Sequence, residues 1–228
     1  MHIEPSVVSG AKLALSYATA AGSLGLATKL AYDTIKNDAG LTPFIVQSIA
    51  TTALVFSFFE VFPHHPIGVS EVHLILGSTL FLIFGAGPTA VGLTLGLLAQ
   101  SIFFAPTDLP QFGMNITSLL VPLFAMKMVA SRIIPKNIAY KDVQYGQALA
   151  LSAIYQGGIV TWVAFWAIYG LGFTTENLAQ IFSFGTTYML VIVVEPLIDL
   201  SILALAKKGH KFKASKMLNT RLYQPEYS

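Results

Sequence analysis

Cysteine is absent from the 228 residues, which excludes disulfides, thiolate metal sites and catalysis by a cysteine nucleophile. Charged residues are scarce, at 11% against about 25% in soluble domains. The chain also lacks a Gly-x-x-x-x-Gly-Lys-Ser/Thr loop, a His-Glu-x-x-His helix and any nucleophile–base set. These absences indicate that the chain is not an enzyme and binds no nucleotide. Its net charge of only +2 gives no reason to expect a nucleic-acid partner.

Apolar residues dominate instead, at 54% of the chain with a mean hydropathy of +0.68. Runs of about 20 apolar residues are long enough to cross roughly 30 Å of hydrocarbon. We predict an all-α, polytopic transmembrane helical bundle of about seven helices that forms a single domain, 1–228. Six helices is the alternative, because only Gly85-Ala86-Gly87-Pro88 separates the third and fourth runs. The runs are 8–31, 42–62, 70–86, 88–105, 115–134, 146–171 and 178–206.

The distribution of Lys and Arg predicts the orientation of the bundle. Residues 1–10 contain no Lys or Arg, so the first run is not expected to be a cleavable signal peptide. The loops 63–69, 106–114 and 172–177 also contain none, whereas Lys or Arg is found in 32–41, in 135–145 and in the carboxyl-terminal tail. The positive-inside rule therefore predicts an outer amino terminus and an inner carboxyl terminus. This is expected of a multi-pass protein of a bacterial plasma (inner) membrane.

Histidines at the predicted outer face point to a metal site. His2 lies beside the α-amine of Met1, so the amine, the backbone nitrogen and the imidazole can close two fused chelate rings on one ion. A histidine from the 63–69 loop, His64 or His65, would complete an all-nitrogen square. Such a square suits Ni(II) or Cu(II) and also admits Co(II). The alternative interpretation is that the loop histidines simply sit in the polar headgroup layer.

Four sequence elements carry a family resemblance: Met1-His2-Ile3, His65-Pro66, Gly113-Met114-Asn115 and Val194-Glu195. Their order and spacing resemble the substrate-binding membrane (S) subunit of cobalt/nickel energy-coupling-factor transporters of the CbiM/NikM type, as a divergent member. The resemblance implies a metal site made by Met1, His2 and His65, with His64 and Asn115 as further candidates.

The same resemblance implies a cobalt or nickel ion as transported substrate and no nucleotide on this chain. The implied partners are a membrane coupling (T) subunit, cytoplasmic ATPase subunits and the lipid bilayer. Small residues of the first run, Ala14, Ala18 and Gly22, are either internal packing or the docking face for the coupling subunit. The alternative function is a stand-alone membrane metal-binding or sensory protein, or a metal-cofactor enzyme subunit, that uses the same site without transport.

Two carboxylates in the last run, Glu195 and Asp199, are one helical turn apart and share a face. Ionisable groups inside a membrane are costly and are usually functional. The resemblance at Glu195 favours a structural or coupling role over direct metal binding. We expect the pair to bond to polar side chains or to Lys127.

Overall fold

The computed structural model of the chain describes Ile3 and residues 6–38, 40–208 and 217–225. Most of these residues are helical, because an α-helix satisfies every backbone polar group within one segment, as hydrocarbon requires. The α-helices are α1 (Leu13–Asp33), α2 (Leu41–Glu60), α3 (Gly77–Phe84), α4 (Ala86–Phe103), α5 (Phe112–Ile133), α6 (Tyr145–Leu171), α7 (Thr175–Met189), α8 (Val191–Lys208) and α9 (Thr220–Tyr223). Between α2 and α3 lies an antiparallel hairpin, β1 (His65–Ile67) and β2 (Ser70–Val72).

Within the described residues, five helical segments are long and apolar enough to cross a membrane. They are Leu41–Glu60, Ala86–Phe103, Pro106–Ile133, Tyr145–Leu171 and Thr175–Lys208. The helix α1 has 21 residues and is therefore about 32 Å long, but its many Ala, Ser, Gly and Thr residues make it less apolar. The multi-pass all-α membrane fold is thus confirmed, whereas the count of about seven helices and the orientation stay predictions.

The third predicted run, 70–86, differs from expectation because only its second half is helical. It begins as the strand β2 and ends as α3, whose eight residues rise about 12 Å, less than half of the hydrocarbon core. The polar pair Glu71 and His73, joined at 3.0 Å, lies in the non-helical half. The last predicted run, 178–206, is likewise two helices, α7 and α8, which meet at Leu190.

Glycines allow the helices of the bundle to approach closely. A Cβ atom on Gly92 of α4 would lie 2.4 Å from the hydroxyl of Thr51 in α2, and one on Gly96 would lie 2.7 Å from a methyl of Val55. Thr51 also donates to the carbonyl of Pro88 at 2.8 Å. This Gly-x-x-x-Gly face lets α2 and α4 pack at backbone distance, as is common between membrane helices.

The hairpin, Ile3, residues 6–12 and the turn Pro106–Gln111 lie at one end of the bundle. Lys12 caps the carboxyl end of α6 at this end of the bundle. Its ammonium group donates to the carbonyls of Tyr169 and Gly170, at 3.0 and 2.9 Å. A cation at free carbonyls stabilises a helix carboxyl end. The three loops that contain no Lys or Arg, and that are predicted to be outside, also lie at this end. Lys12 is a cation at the same end, ahead of α1.

The opposite end of the bundle is covered by residues 217–225. Arg221 stacks on the ring of Tyr140 at 4.7 Å and donates to the carbonyls of Ile134 and Pro135, at 3.1 and 3.2 Å. In the adjoining turn, a hydrogen bond from Lys141 at 2.5 Å lowers the pKa of Asp142 below its usual value. The Arg221 contacts satisfy carbonyls of the two residues that directly follow α5.

Candidate metal centre

The hairpin that carries His65 is held in place by a two-residue turn, Gly68 and Val69. The register pairs His65 with Val72 and Ile67 with Ser70. Gly68 has φ +61°, the conformation that favours glycine at the first central position of a type II′ turn. The turn presses directly on α7, because a Cβ atom on Gly68 would lie 2.1 Å from the carbonyl oxygen of Gln180. The hairpin is therefore a fixed platform rather than a free loop.

We expect Gly68→Ala to displace the hairpin from α7 and to weaken metal binding. The matched control is Gly172→Ala, which also has positive φ (+75°) but whose Cβ would meet nothing within 4 Å. Both substitutions place a side chain at positive φ, which costs about 1–3 kcal/mol, and only Gly68→Ala adds the clash. Thermal unfolding in one detergent should show the larger drop for Gly68→Ala, at about 2–4 °C per kcal/mol. Equal unfolding temperatures would contradict the fixed platform.

Ile3 ties the amino-terminal chain to this platform. Its backbone pairs antiparallel with Ser70 of β2, and its N–H donates to the side-chain oxygen of Asn115 at 2.9 Å. Ile3 and Asn115 are both fully buried. Asn115 thus uses its oxygen to hold the main chain next to His2. This places Asn115 near the predicted site as an anchor for the residues that precede Ile3.

His64 is engaged within the protein, whereas His65 is open. The His64 ring stacks on the fully buried His73 ring, with centroids 5.0 Å apart and planes at 18°. One His64 ring nitrogen, Nδ1, also lies 3.2 Å from the carbonyl oxygen of Phe62. His73 in turn contacts Glu71 at 3.0 Å. His65 is exposed on β1, so the two adjacent histidines differ in their contacts within the protein.

Within the described residues, no group of three or more His, Cys, Asp or Glu side chains is arranged to hold a metal ion. A site at His65 therefore needs the donors of Met1 and His2, which lie outside the described residues. Since Ser70 already pairs with Ile67, its bridge to Ile3 occupies the other edge of β2. Two strand spacings, about 10 Å, separate Ile3 from β1. Two residues span at most about 7 Å of backbone, so a shared site also requires the length of the side chains.

The buried carboxylates lie apart from this site and are bonded to polar side chains, which is one of the two predicted arrangements. Glu195 accepts hydrogen bonds from Ser152 at 2.5 Å, from Gln156 at 2.7 Å and from the backbone of Ser78 at 3.1 Å. Asp199 accepts one from the Ser78 hydroxyl at 2.7 Å. Both carboxylates therefore sit at the amino-terminal end of α3, where the helix dipole favours negative charge.

The contacts of His73 are not predicted by hydropathy, which places this residue inside the apolar run 70–86. His73 instead follows β2 in extended chain and contacts Glu71. The alternation Glu71, Val72, His73 puts the two polar side chains on the same side of an extended segment. That two-residue period was the available signal.

Comparisons with known proteins agree with this architecture. The family model for the cobalt uptake substrate-specific transmembrane region (CbiM) matches residues 2–211. A solved structure of a truncated transition metal transporter is 17% identical, with a TM-score of 0.67, over 92% of this chain and 100% of its own. A second, of a transition metal transporter, is 19% identical, with a TM-score of 0.68, over 94% and 98%. Among curated proteins, no sequence matches this chain significantly.

Proposed function

Because the chain belongs to the cobalt-uptake substrate-specific transmembrane family, we propose that it captures cobalt or nickel ions at the outer face of a bacterial plasma membrane for an energy-coupled transporter. The coarser part follows from the family and the fold: the chain is a multi-pass membrane component of transition-metal uptake and not an enzyme. The finer part concerns the metal ligands, the choice between cobalt and nickel, and the coupling partners.

The metal ligands we propose are the Met1 amine, the backbone and ring nitrogens of His2, and the ring of His65. The observation that supports this set is the double anchoring of Ile3, by Ser70 and by Asn115. It fixes the chain within two residues of the amino terminus beside the hairpin that presents His65. His64 is a weaker candidate because its ring is stacked on His73.

The pH dependence of binding tests the nitrogen site. Amines and imidazoles bind metal only when deprotonated, so binding must release protons and weaken in acid. Their reference pKa values are about 8 and 6.5, whereas carboxylic acids titrate near 4. Affinity for Co²⁺ or Ni²⁺ should therefore fall steeply between pH 7.5 and 5, measured by calorimetry in buffers of different ionisation enthalpy. A pH-flat affinity without proton release would instead favour a carboxylate site built from Glu60, Glu71 and Asp108.

A transport assay separates the proposed function from its alternative. The purified chain, reconstituted with a membrane coupling subunit and ATPase subunits, should accumulate Co²⁺ or Ni²⁺ in vesicles only when ATP is supplied. Uptake should be lost with His65→Ala. Tight binding without ATP-driven uptake would identify a stand-alone metal-binding or sensory protein.

We propose that the coupling subunit docks on the exposed face of α1. The residues that α1 buries are Ser16, Ala20, Ser23 and Ala27. Ala14, Ala18 and Gly22 are exposed, and a Cβ atom on Gly22 would meet nothing within 4 Å. Internal packing therefore does not account for this small-residue face, which would let another helix approach closely.

Gly22→Leu should reduce co-purification of the coupling subunit, because the larger side chain holds the partner helix away. Metal binding by the chain alone should be unchanged, since α1 keeps its buried face. Thr28→Leu is the control, because it enlarges an exposed position about 120° around the helix from Gly22. Unimpaired co-purification of Gly22→Leu would exclude this face as the docking surface.

A further inference from the structure

A second set of donor atoms lies inside the bundle, where α3, α6 and α8 meet. Glu195 and Asp199 are 0% and 1% exposed, and both contact Ser78. Ser152 and Gln156 of α6 donate to Glu195, and the hydroxyl of Thr79 donates to Asp199. The cluster is composed of oxygen atoms apart from the donating nitrogens of Gln156 and the Ser78 backbone.

The charge of this cluster is not balanced by side chains. None of the described hydrogen-bond partners of Glu195 and Asp199 is Lys, Arg or His. Neutral donors lower the cost of burying a carboxylate, but an ionised group in a water-free interior also needs an opposite charge or a proton. Two adjacent carboxylates double that requirement.

Within the described residues, two further buried oxygens at the cluster have no hydrogen-bond partner. The side-chain nitrogen of Gln156 donates both to Glu195 and to the carbonyl of Ile75, yet within the described residues its oxygen has no hydrogen-bond partner. The Tyr155 ring packs on Gly77, next to Ser78, with its Cζ 2.4 Å from where a Cβ would stand. The buried Tyr155 hydroxyl also has no partner among the described residues. Buried oxygens without partners beside two carboxylates are the arrangement that a cation would satisfy.

We propose that Glu195 and Asp199, with Ser78, Thr79, Ser152 and Gln156, form a second binding site for a divalent cation. Two carboxylates balance a +2 ion, and oxygen donors suit Mn²⁺ and Mg²⁺, whereas imidazole suits nickel and copper. The imported ion would be held there more weakly than at the outer nitrogens. This inference rests on the proposed uptake function. The cluster would bind the imported ion after it leaves the outer site and before it reaches the inner face.

The location of the cluster supports that path. Ile75, whose carbonyl binds Gln156, follows His73 by two residues, and His73 contacts both Glu71 and His64 of the hairpin region. Polar and ionisable groups thus continue from the hairpin to the carboxylates. Such groups are rare within hydrocarbon unless they serve an ion or a proton.

The test uses the full chain with its own amino terminus, purified in detergent, and two probes. Mn²⁺ binding, followed by electron paramagnetic resonance, reports the oxygen site, and equilibrium dialysis counts Co²⁺. The unsubstituted chain should bind one Mn²⁺, and one tight plus one weaker Co²⁺. Combined Glu195→Gln and Asp199→Asn should weaken Mn²⁺ binding at least tenfold and leave the tight Co²⁺ in place. His65→Ala should do the reverse.

Thr79→Val keeps both carboxylates and the side-chain shape but removes one oxygen, and it should weaken Mn²⁺ binding several-fold. Thr94→Val is its control, because the Thr94 hydroxyl donates to its own helix at Ala90. Mn²⁺ affinity unaffected by Thr79→Val, or a chain that binds no Mn²⁺ and only one Co²⁺, would overturn the second site and leave the carboxylates holding protons. Failure of the proposed function is separate: tight Co²⁺ binding would then survive His65→Ala.

Discussion

Extending the chain by a few residues ahead of Met1 is expected to abolish high-affinity metal binding. The extension converts the Met1 amine into an amide, which removes one nitrogen donor and opens one of the two fused chelate rings. We expect at least a 100-fold loss in affinity for Ni²⁺ or Co²⁺, roughly 2.8 kcal/mol. Competition with a chromophoric chelator would measure it. The same extension at the carboxyl terminus should have no effect, because residues 217–225 lie at the end of the bundle opposite to the hairpin.

A removable leader makes this experiment reversible. Cleavage by a protease that leaves Met1 as the first residue should restore the original affinity in the same preparation. Restoration excludes misfolding as the cause of the loss. If extended and cleaved forms bind metal equally well, the amine is not a ligand and the site must be built from side chains alone.

Much of the fold could be predicted because each membrane-spanning helix requires an apolar run of about its own length. The runs at 42–62, 88–105, 115–134 and 146–171 correspond to α2, α4, α5 and α6 within a few residues. The prediction of a single helix for the run 70–86 was wrong because hydropathy does not report contacts between side chains. There, the Glu71–His73 contact and the carboxylates at Ser78 favour a strand and a short helix over one span.

The candidate site was only partly predictable for a related reason. Sequence placed His64, His65 and the amino terminus on one predicted face, and only the resemblance at His65-Pro66 favoured His65 over His64. The structure adds a contact that no pattern indicates, the stacking of His64 on His73. Similarly, the role of Asn115 depends on Ile3, which is 112 positions away in the chain. Long-range contacts of this kind leave no local periodicity.

The second large effect is expected from His65→Ala, compared with His64→Ala. His65 is exposed on the hairpin, whereas His64 is stacked on His73 and bonded to the carbonyl of Phe62. Loss of the His65 ring removes a ligand directly, so metal affinity should fall by a factor of about 100 or more, or roughly 2.8 kcal/mol. Loss of the His64 ring removes only packing, and affinity should fall less than about tenfold. Calorimetric titration with Ni²⁺ measures both.

In the metal-free chain, His64→Ala should reduce stability more than His65→Ala does. This order is opposite to that for metal affinity, so it distinguishes a packing role from a ligand role. His64→Ala should lower the unfolding temperature of the metal-free chain, because His73 loses its stacking partner. His65→Ala should leave it unchanged and should instead cancel the stabilisation that added metal gives, since a ligand stabilises only the state that binds it. His64→Phe, which keeps a flat ring without metal-binding nitrogens, should retain both stability and affinity. A large loss of affinity in His64→Phe, with His65→Ala binding normally, would move the ligand to His64 and shift the family alignment by one residue.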